Sequence, residues 1–278
     1  MWFHRGQNEP TLAKTVSQPC TQSQCESPEF VYWCGKINLT PWYHRKLWEF
    51  CYILRVLDEA EMLRPGRSGV GFGVGREPLA AAMAVAGCRI LATDMAEEGA
   101  VEQGWVVTGQ HTGSLHDLND KGICDPGIFQ ERVRYRTVNM NAIPADLGTF
   151  DFAWSACAME HLGSLRHGLD FVRNSLTFLR PGGVAVHTTE FNLSSNRGTA
   201  ADGPTVIYRR KDFAEFARAL TAEGHEISLN FNAGSGPVDR YVDLPPYAQV
   251  KHLKLQLAGF VSTSFGLKIR KGRPPGAG

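Results

Sequence analysis

Residues 67–95 constrain the fold of this chain more than any other stretch. A short apolar run ends in three glycines, Gly71, Gly73 and Gly75. Pro78 then opens an Ala-rich segment, and a second apolar run ends in Asp94. Strand, tight glycine turn, helix, strand and terminal acid in that order open a nucleotide-binding βαβ unit. The glycines let backbone come close to a ligand. Amides of the first helical turn can take an anion, and Pro78 fits there because its missing donor is not needed. An acid at the end of the second strand can accept hydrogen bonds from ribose hydroxyls. The dinucleotide fingerprint requires a small third residue. Counted from Gly69, Gly71 or Gly73, that residue is Val74, Arg76 or Pro78, so every register fails and G-x-G-x-G is what remains.

The 278 residues, 43% hydrophobic, allow one domain with extensions or at most two small ones. A net charge of +1 points to no polyanionic partner, so nucleic acid is not expected. No apolar stretch is long enough to span a bilayer, and the N-terminal residues lack the apolar core of a signal peptide. A cytoplasmic location is the expectation. Seven scattered cysteines suit reduced thiols better than a disulfide framework. Cys20 and Cys25 lack well-spaced partners for a zinc site.

Along the chain, residues 1–39 read as an N-terminal arm, polar and loosely ordered over 1–30. Residues 40–63 carry Trp42, Leu47, Phe50, Leu54, Leu57 and Met62 at near-helical spacing, and Thr40-Pro41 is a helix start. This stripe reads as core packing over a sheet edge, with a second role in closing the cofactor site. A short helix is expected over 96–104. A polar, Gly-rich insertion follows at 105–130, with His111, His116, Asp117 and Asp120 as exposed loop residues. Further strands are expected at 133–138, 150–155, 184–189, 226–231 and 260–270, with helices over 165–179 and 211–223. A second insertion occupies 232–258, and residues 271–278 read as a tail. The domain proper therefore spans 40–270. It is an α/β fold with a seven-stranded, mostly parallel sheet whose last two strands pair as an antiparallel hairpin.

Several further motifs share this order. Asp94-Met95 ends the second strand. Asn139-Met140 precedes Ile143-Pro144, residues 151–155 precede Glu160-His161-Leu162, and Leu179-Arg180-Pro181-Gly182-Gly183 forms a turn. With the glycines, these residues resemble the class I S-adenosylmethionine (SAM) dependent methyltransferases over about residues 50–270. More loosely, the chain is similar to sugar O-methyltransferases of bacterial glycan biosynthesis. The resemblance implies a Rossmann-like fold and SAM as cofactor, held by Gly71, Phe72, Gly73, Gly75, Glu77, Asp94, Met95, Asn139, Met140 and Ser155. Two positions depart from the family pattern. Gly69 stands where an acid usually supports the turn and the SAM amino group, and Glu77 is the candidate replacement. Asn139 stands for the common Asp, and its amide oxygen can still accept from an adenine amino group.

Methyl transfer is an in-line displacement in which positioning does much of the catalysis. A hydroxyl acceptor also needs a base or a metal. In this fold the acceptor lies beyond the carboxyl ends of the fourth and fifth strands, where Cys157, Glu160, His161, His187, Thr189, Glu190 and Asn192 fall. His161 is the first candidate for base. Glu160 and Glu190 are candidates to orient it or to share a divalent cation such as Mg2+, with His252 completing the shell. His187, inside a strand, reads as a core histidine. Tyr208, Asp239, Tyr247 and His252 are the candidate acceptor-binding residues, because carboxylates and rings suit polyhydroxylated ligands. The reaction expected is methylation of a sugar or oligosaccharide hydroxyl. N- or O-methylation of another small metabolite, a SAM-binding protein without catalysis and a nicotinamide dehydrogenase are the alternatives. A homodimer is the one protein assembly considered.

Overall fold

The computed structural model describes residues 7–96 and 115–272. The helix expected over 96–104, His111, the side chain of His116 and the tail beyond residue 272 lie outside the described residues. The parallel core consists of β2 (Ser68–Phe72), β3 (Arg89–Asp94), β4 (Val133–Thr137), β5 (Phe150–Ala156) and β7 (Leu179–Asn192). These lie in the order β4-β3-β2-β5-β7, and β11 (Phe260–Arg270) runs antiparallel against β7. The order reverses between β2 and β5. At such a switch point, in open α/β sheets, the strand ends splay and leave a ligand crevice. Both faces are covered, so β5 is buried along its whole length, as a parallel strand between helical layers should be.

Helices α1 (Gln22–Cys25), α2 (Pro28–Lys36), α3 (Arg45–Glu59), α4 (Leu79–Val85) and α5 (Pro126–Arg132) precede α6 (Leu165–Thr177) and α7 (Arg210–Ala222). The aromatic stripe read over 40–63 is α3. It lies on β11 so closely that a Cβ at Gly266 would sit 2.1 Å from the Tyr52 ring. The Tyr52 hydroxyl donates to the carbonyls of Val16 (2.7 Å) and Gly266 (3.2 Å), tying the N-terminal segment to helix and sheet at once.

Two expectations fail here. The sixth strand is not 226–231. Only β9 (Glu226–Ile227) pairs with β11, and the rest of that edge is taken by β1 (Gln18–Pro19) and the hairpin strand β10 (Leu255–Leu257). Leu229 instead bridges Ser17, with Ser17 N–H on the Ser228 carbonyl at 3.0 Å. The N-terminal segment from residue 7 onward is also not a loose arm. Leu12, Cys20 and Phe30 are fully buried, and Ser27 caps α2 by accepting from Phe30 N–H. Its polar composition misled because the polar groups are buried in pairs. Gln24 Oε1 accepts from Gln18 Nε2 (2.8 Å) and Trp48 Nε1 (2.9 Å), while Gln24 Nε2 donates to the Pro19 carbonyl.

Candidate functional site

The glycine turn closes β2 tightly. A Cβ at Gly71 would lie 2.3 Å from the Trp154 ring, and Gly73 and Gly75 adopt φ of +58° and +48°, where a side chain is strained. Gly75 N–H donates to Asp94 Oδ2 (3.0 Å) and Met95 N–H to Oδ1 (2.8 Å), which fixes the acid at the end of β3. Beside this turn opens a cavity of about 660 Å³. Gly73, Gly75, Glu77, Asp94, Met95, Asn139, Met140 and His161 all line it, so eight of the residues expected at the site come together. Asn139 Oδ1 accepts from Asn141 N–H at 2.9 Å.

Three of the expected cofactor residues do not face the cavity. Gly71 shapes the turn, and its carbonyl accepts from Thr93 Oγ1. Phe72 is fully buried on the opposite face, edge-on to Phe171. Ser155 Oγ is bound to His187 Nδ1 at 2.8 Å inside the core. His187 is indeed a core histidine. Ser175 Oγ donates to the Val172 carbonyl and so accepts from His187 Nε2 (3.1 Å), and burial pushes the imidazole down to about 3.

The first turn of α3, part of the stripe expected also to close the site, forms a wall of the cavity, and its charged residues Arg45, Lys46 and Glu49 are what sequence reasoning missed. Lys46 and Phe50 line it, with Lys46 Nζ donating to the Ala156 carbonyl (2.9 Å) and 3.2 Å from Glu77 Oε1. Arg45 pairs with Glu190, and Glu49 is fully buried between Arg45 (4.0 Å) and Lys46 (3.5 Å). Glu49 also accepts from Ser264 Oγ, Cys157 Sγ (3.0 Å) and Thr188 Oγ1 (3.3 Å). Burial alone would raise its carboxyl; the two cations hold it below the ordinary range. A signal was present: three charged residues within one turn of an otherwise apolar helix face, where an unpaired charge could not be buried.

Glu77 has the opposite balance. It is 8% exposed, and burial pushes its carboxyl up to about 8 against the pull of Lys46. Its Oε2 atom is buried with no hydrogen-bond partner among the described residues. An orphaned carboxylate oxygen in the cavity wall requires a donor to satisfy it.

Across the switch point, Cys157 ends β5 at φ of +51°, held there by Thr188. Its thiol stays neutral because burial raises it well above the ordinary range. Glu160 Oε2 accepts from Thr189 Oγ1 (3.0 Å) and Glu190 Oε2 from Ser262 Oγ (2.6 Å). Burial raises Glu160, with His161 opposing. His161 Nδ1 lies 2.7 Å from the Pro204 carbonyl, which places the proton on Nδ1 and makes Nε2 the basic nitrogen.

The ligand atoms of Cys157, Glu160 and Glu190 lie within 4.8 Å of one another. They do not fit Mg2+, which takes a near-octahedral shell of oxygen ligands. One donor is a neutral thiol, Glu190 is occupied by Arg45 and Glu160 by Thr189. His252 joins none of these groups; its Nδ1 donates to Asp243 Oδ2 at 2.7 Å.

Of the expected acceptor residues, two are structural. Tyr208 is fully buried, stacked on Phe213 with its hydroxyl on the Leu165 carbonyl. Asp239 accepts from the N–H groups of Gln22 (2.8 Å) and Gly236 (3.1 Å) and pairs with Lys254 (3.6 Å). The other two stay near the cleft. Tyr247 meets His252 edge-on (5.3 Å), and His252 stacks on His44 (5.0 Å), which stacks on Trp42 (4.6 Å). His252 carbonyl accepts from Arg45 N–H, which seats this stack beside the Arg45–Glu190 pair.

A cofactor-sized cavity at the switch point of a five-stranded parallel core flanked by an antiparallel β11 decides the architecture. The chain has the Rossmann-like methyltransferase fold. A proposed sarcosine dimethylglycine methyltransferase from Galdieria sulphuraria superposes with a TM-score of 0.51 at 15% identity, over 80% of this chain and 84% of that one. A proposed methyltransferase from Bacillus halodurans gives 0.49 at 15% identity, over 80% and 99%. The magnesium protoporphyrin IX methyltransferase of Synechocystis, solved with bound S-adenosylhomocysteine, gives 0.45 at 11% identity, over 80% and 82%. At such identities the likeness is one of fold. No family model and no curated protein matches the chain. No helix among the described residues is long and apolar enough to cross a membrane.

Proposed function

We propose that the chain is a SAM-dependent methyltransferase that methylates a hydroxyl of a sugar or oligosaccharide. The observation that carries the cofactor is the orphaned Oε2 of Glu77, buried in the wall of the cavity that Asp94 also lines. Glu77 would accept from the amino group of the cofactor's methionine end, and Lys46 beside it would face the carboxylate. Asp94, fixed by two backbone N–H groups at the end of β3, would accept from ribose hydroxyls. Met95 and Met140 offer apolar surface to the adenine. When bound, the cofactor supplies an electrophilic methyl on a sulfonium.

The chain's own residues then position and deprotonate. His161 lines the same cavity with its tautomer set by Pro204, so Nε2 can take a hydroxyl proton as the oxygen attacks. A neutral amine needs no such base, which favours oxygen as the acceptor atom. The neutral Cys157 thiol and the occupied Glu190 hold the cleft rigid rather than exchange protons.

Calorimetry with SAM and with NADH tests the cofactor: SAM binding without NADH binding is expected, and the reverse outcome overturns the reading. Incubation with SAM and sugar extracts, followed by mass spectrometry, is expected to show products heavier by one methylene. Methylation confined to amines would reject the hydroxyl acceptor.

A further inference from the structure

A second cavity, of about 440 Å³, lies at the carboxyl end of β7. Its position follows from β7 and β11. Phe191 and Asn192, the residues directly after Glu190, line it, so it begins about 3–7 Å further along the strand. On β11, Val261 lines it while the next residue, Ser262, donates to Glu190. Glu190 in turn lies within reach of Cys157, which lines the cofactor cavity. The second cavity therefore adjoins the residues that flank the cofactor cavity, with the buried Glu190 between them.

The charge in this cavity is one-sided. Three cations line it, Arg210, Arg240 and Lys254, against a single carboxylate, Asp239. That carboxylate is already used by Gln22, Gly236 and Lys254. Lys254 is buried, with its Nζ also on the Cys20 carbonyl. Arg210 extends over the Phe231 ring at 5.2 Å, and Arg240 is exposed with no ion pair among the described residues. The walls are held by their own side chains. Asn192 Oδ1 accepts from the N–H groups of Ser194 (3.0 Å) and Ser195 (2.8 Å), and Asn232 Oδ1 from Gly234 N–H (3.0 Å). Phe191 and Phe231 supply a flat apolar floor. A rigid pocket with an apolar floor and a surplus of guanidinium groups matches an oxyanion on a compact body, since the guanidinium fork fits carboxylate and phosphate geometry.

We propose that this cavity binds the acceptor through an oxyanion, a carboxylate or a phosphate monoester, leaving the hydroxyl to be methylated directed toward the cofactor cavity and His161. The proposal rests on the methyltransferase reading and narrows its acceptor to an anionic sugar.

The test is calorimetry on the full-length protein, with and without S-adenosylhomocysteine, using glucuronate, a glucose phosphate and glucose as probes. At least one anionic sugar is expected to bind at least about tenfold more tightly than glucose. Which of the two does so separates carboxylate from phosphate. Arg240→Gln, an exposed position, is expected to remove that preference while S-adenosylhomocysteine binds as before. If S-adenosylhomocysteine binds but the three sugars bind alike, or none binds, or Arg240→Gln keeps the preference, the anionic acceptor is wrong and the cofactor reading stands. Failure of S-adenosylhomocysteine to bind removes both.

Discussion

The cofactor side of the cleft and the acceptor side answer the same problem, holding polar groups away from water, with different materials. On the cofactor side, Asp94 is held by two backbone N–H groups and the turn is shaped by glycines. Its one buried carboxyl oxygen without a partner among the described residues, Glu77 Oε2, is left for a ligand. On the acceptor side, Glu49, Glu160 and Glu190 are satisfied by side chains from α3, β7 and β11, chiefly Arg45, Thr189, Ser262 and Ser264. The difference separates a pocket that waits for its partner from a wall that is complete without one. Changes on the first side should cost binding, and changes on the second should cost stability or turnover.

The largest expected effect breaks the chemistry that joins the two sides. His161→Ala should lower kcat by about 10²–10⁴-fold, the range for a lost general base, and leave SAM affinity unchanged. Equal turnover on the true acceptor would remove His161 as the base. Arg45→Met should destabilise the protein by roughly 3–5 kcal/mol, because it leaves Glu190 buried without its cation. Denaturant unfolding measures this, and a change under about 1 kcal/mol would mean the acceptor wall is not held by that charge. Glu77→Gln should weaken SAM by about 10–100-fold without destabilising the fold, because it removes a charged hydrogen bond to the ligand but not a wall.

The remaining effects are in pH, and their signs oppose. The folded His187 imidazole lies near 3, below its ordinary value, so the unfolded chain binds its proton first. Its contribution is full above about pH 6.5 and is lost as pH falls toward 3, by up to about 1.4 kcal/mol per unit. Glu77, raised to about 8, contributes most below its ordinary carboxyl value of 4.5 and loses that contribution as pH rises toward 8. Unfolding curves of the ligand-free protein across this range should show the alkaline decline disappear in Glu77→Gln and the acid decline persist. Identical profiles in both proteins would show that Glu77 does not titrate as its burial implies.

Much of the cofactor side was legible because its signals are local. Glycines at fixed spacing, an acid closing a strand and an Asn-Met pair after the third strand lie within short segments. Their geometry follows from strand and turn chemistry alone. The exceptions there are Gly71, Phe72 and Ser155, all on strands, and the side of the sheet each would face was not resolved by motif matching. The acceptor side was read less well. Tyr208 and Asp239 have residue types that suit a sugar, yet one stacks in an aromatic core and the other caps Gln22, more than two hundred residues earlier in sequence. The N-terminal segment misled for the same reason. Gln18, Thr21 and Gln24 look like solvated polar residues until their partners, on distant elements, are known.

The sequence alone determined the parallel βαβ core and the glycine turn with Asp94, and it singled out Glu77 beside them. These depend on backbone conformation and on hydrophobic periodicity, which neighbouring residues set. Tertiary structure alone decided which edge strands β11 receives, which charges of α3 meet Glu49, Glu77 and Glu190, and that a basic second cavity adjoins Glu190. Those depend on burial. The energy of a buried charge is fixed by the groups that surround it, and those groups come from parts of the chain that no local pattern connects.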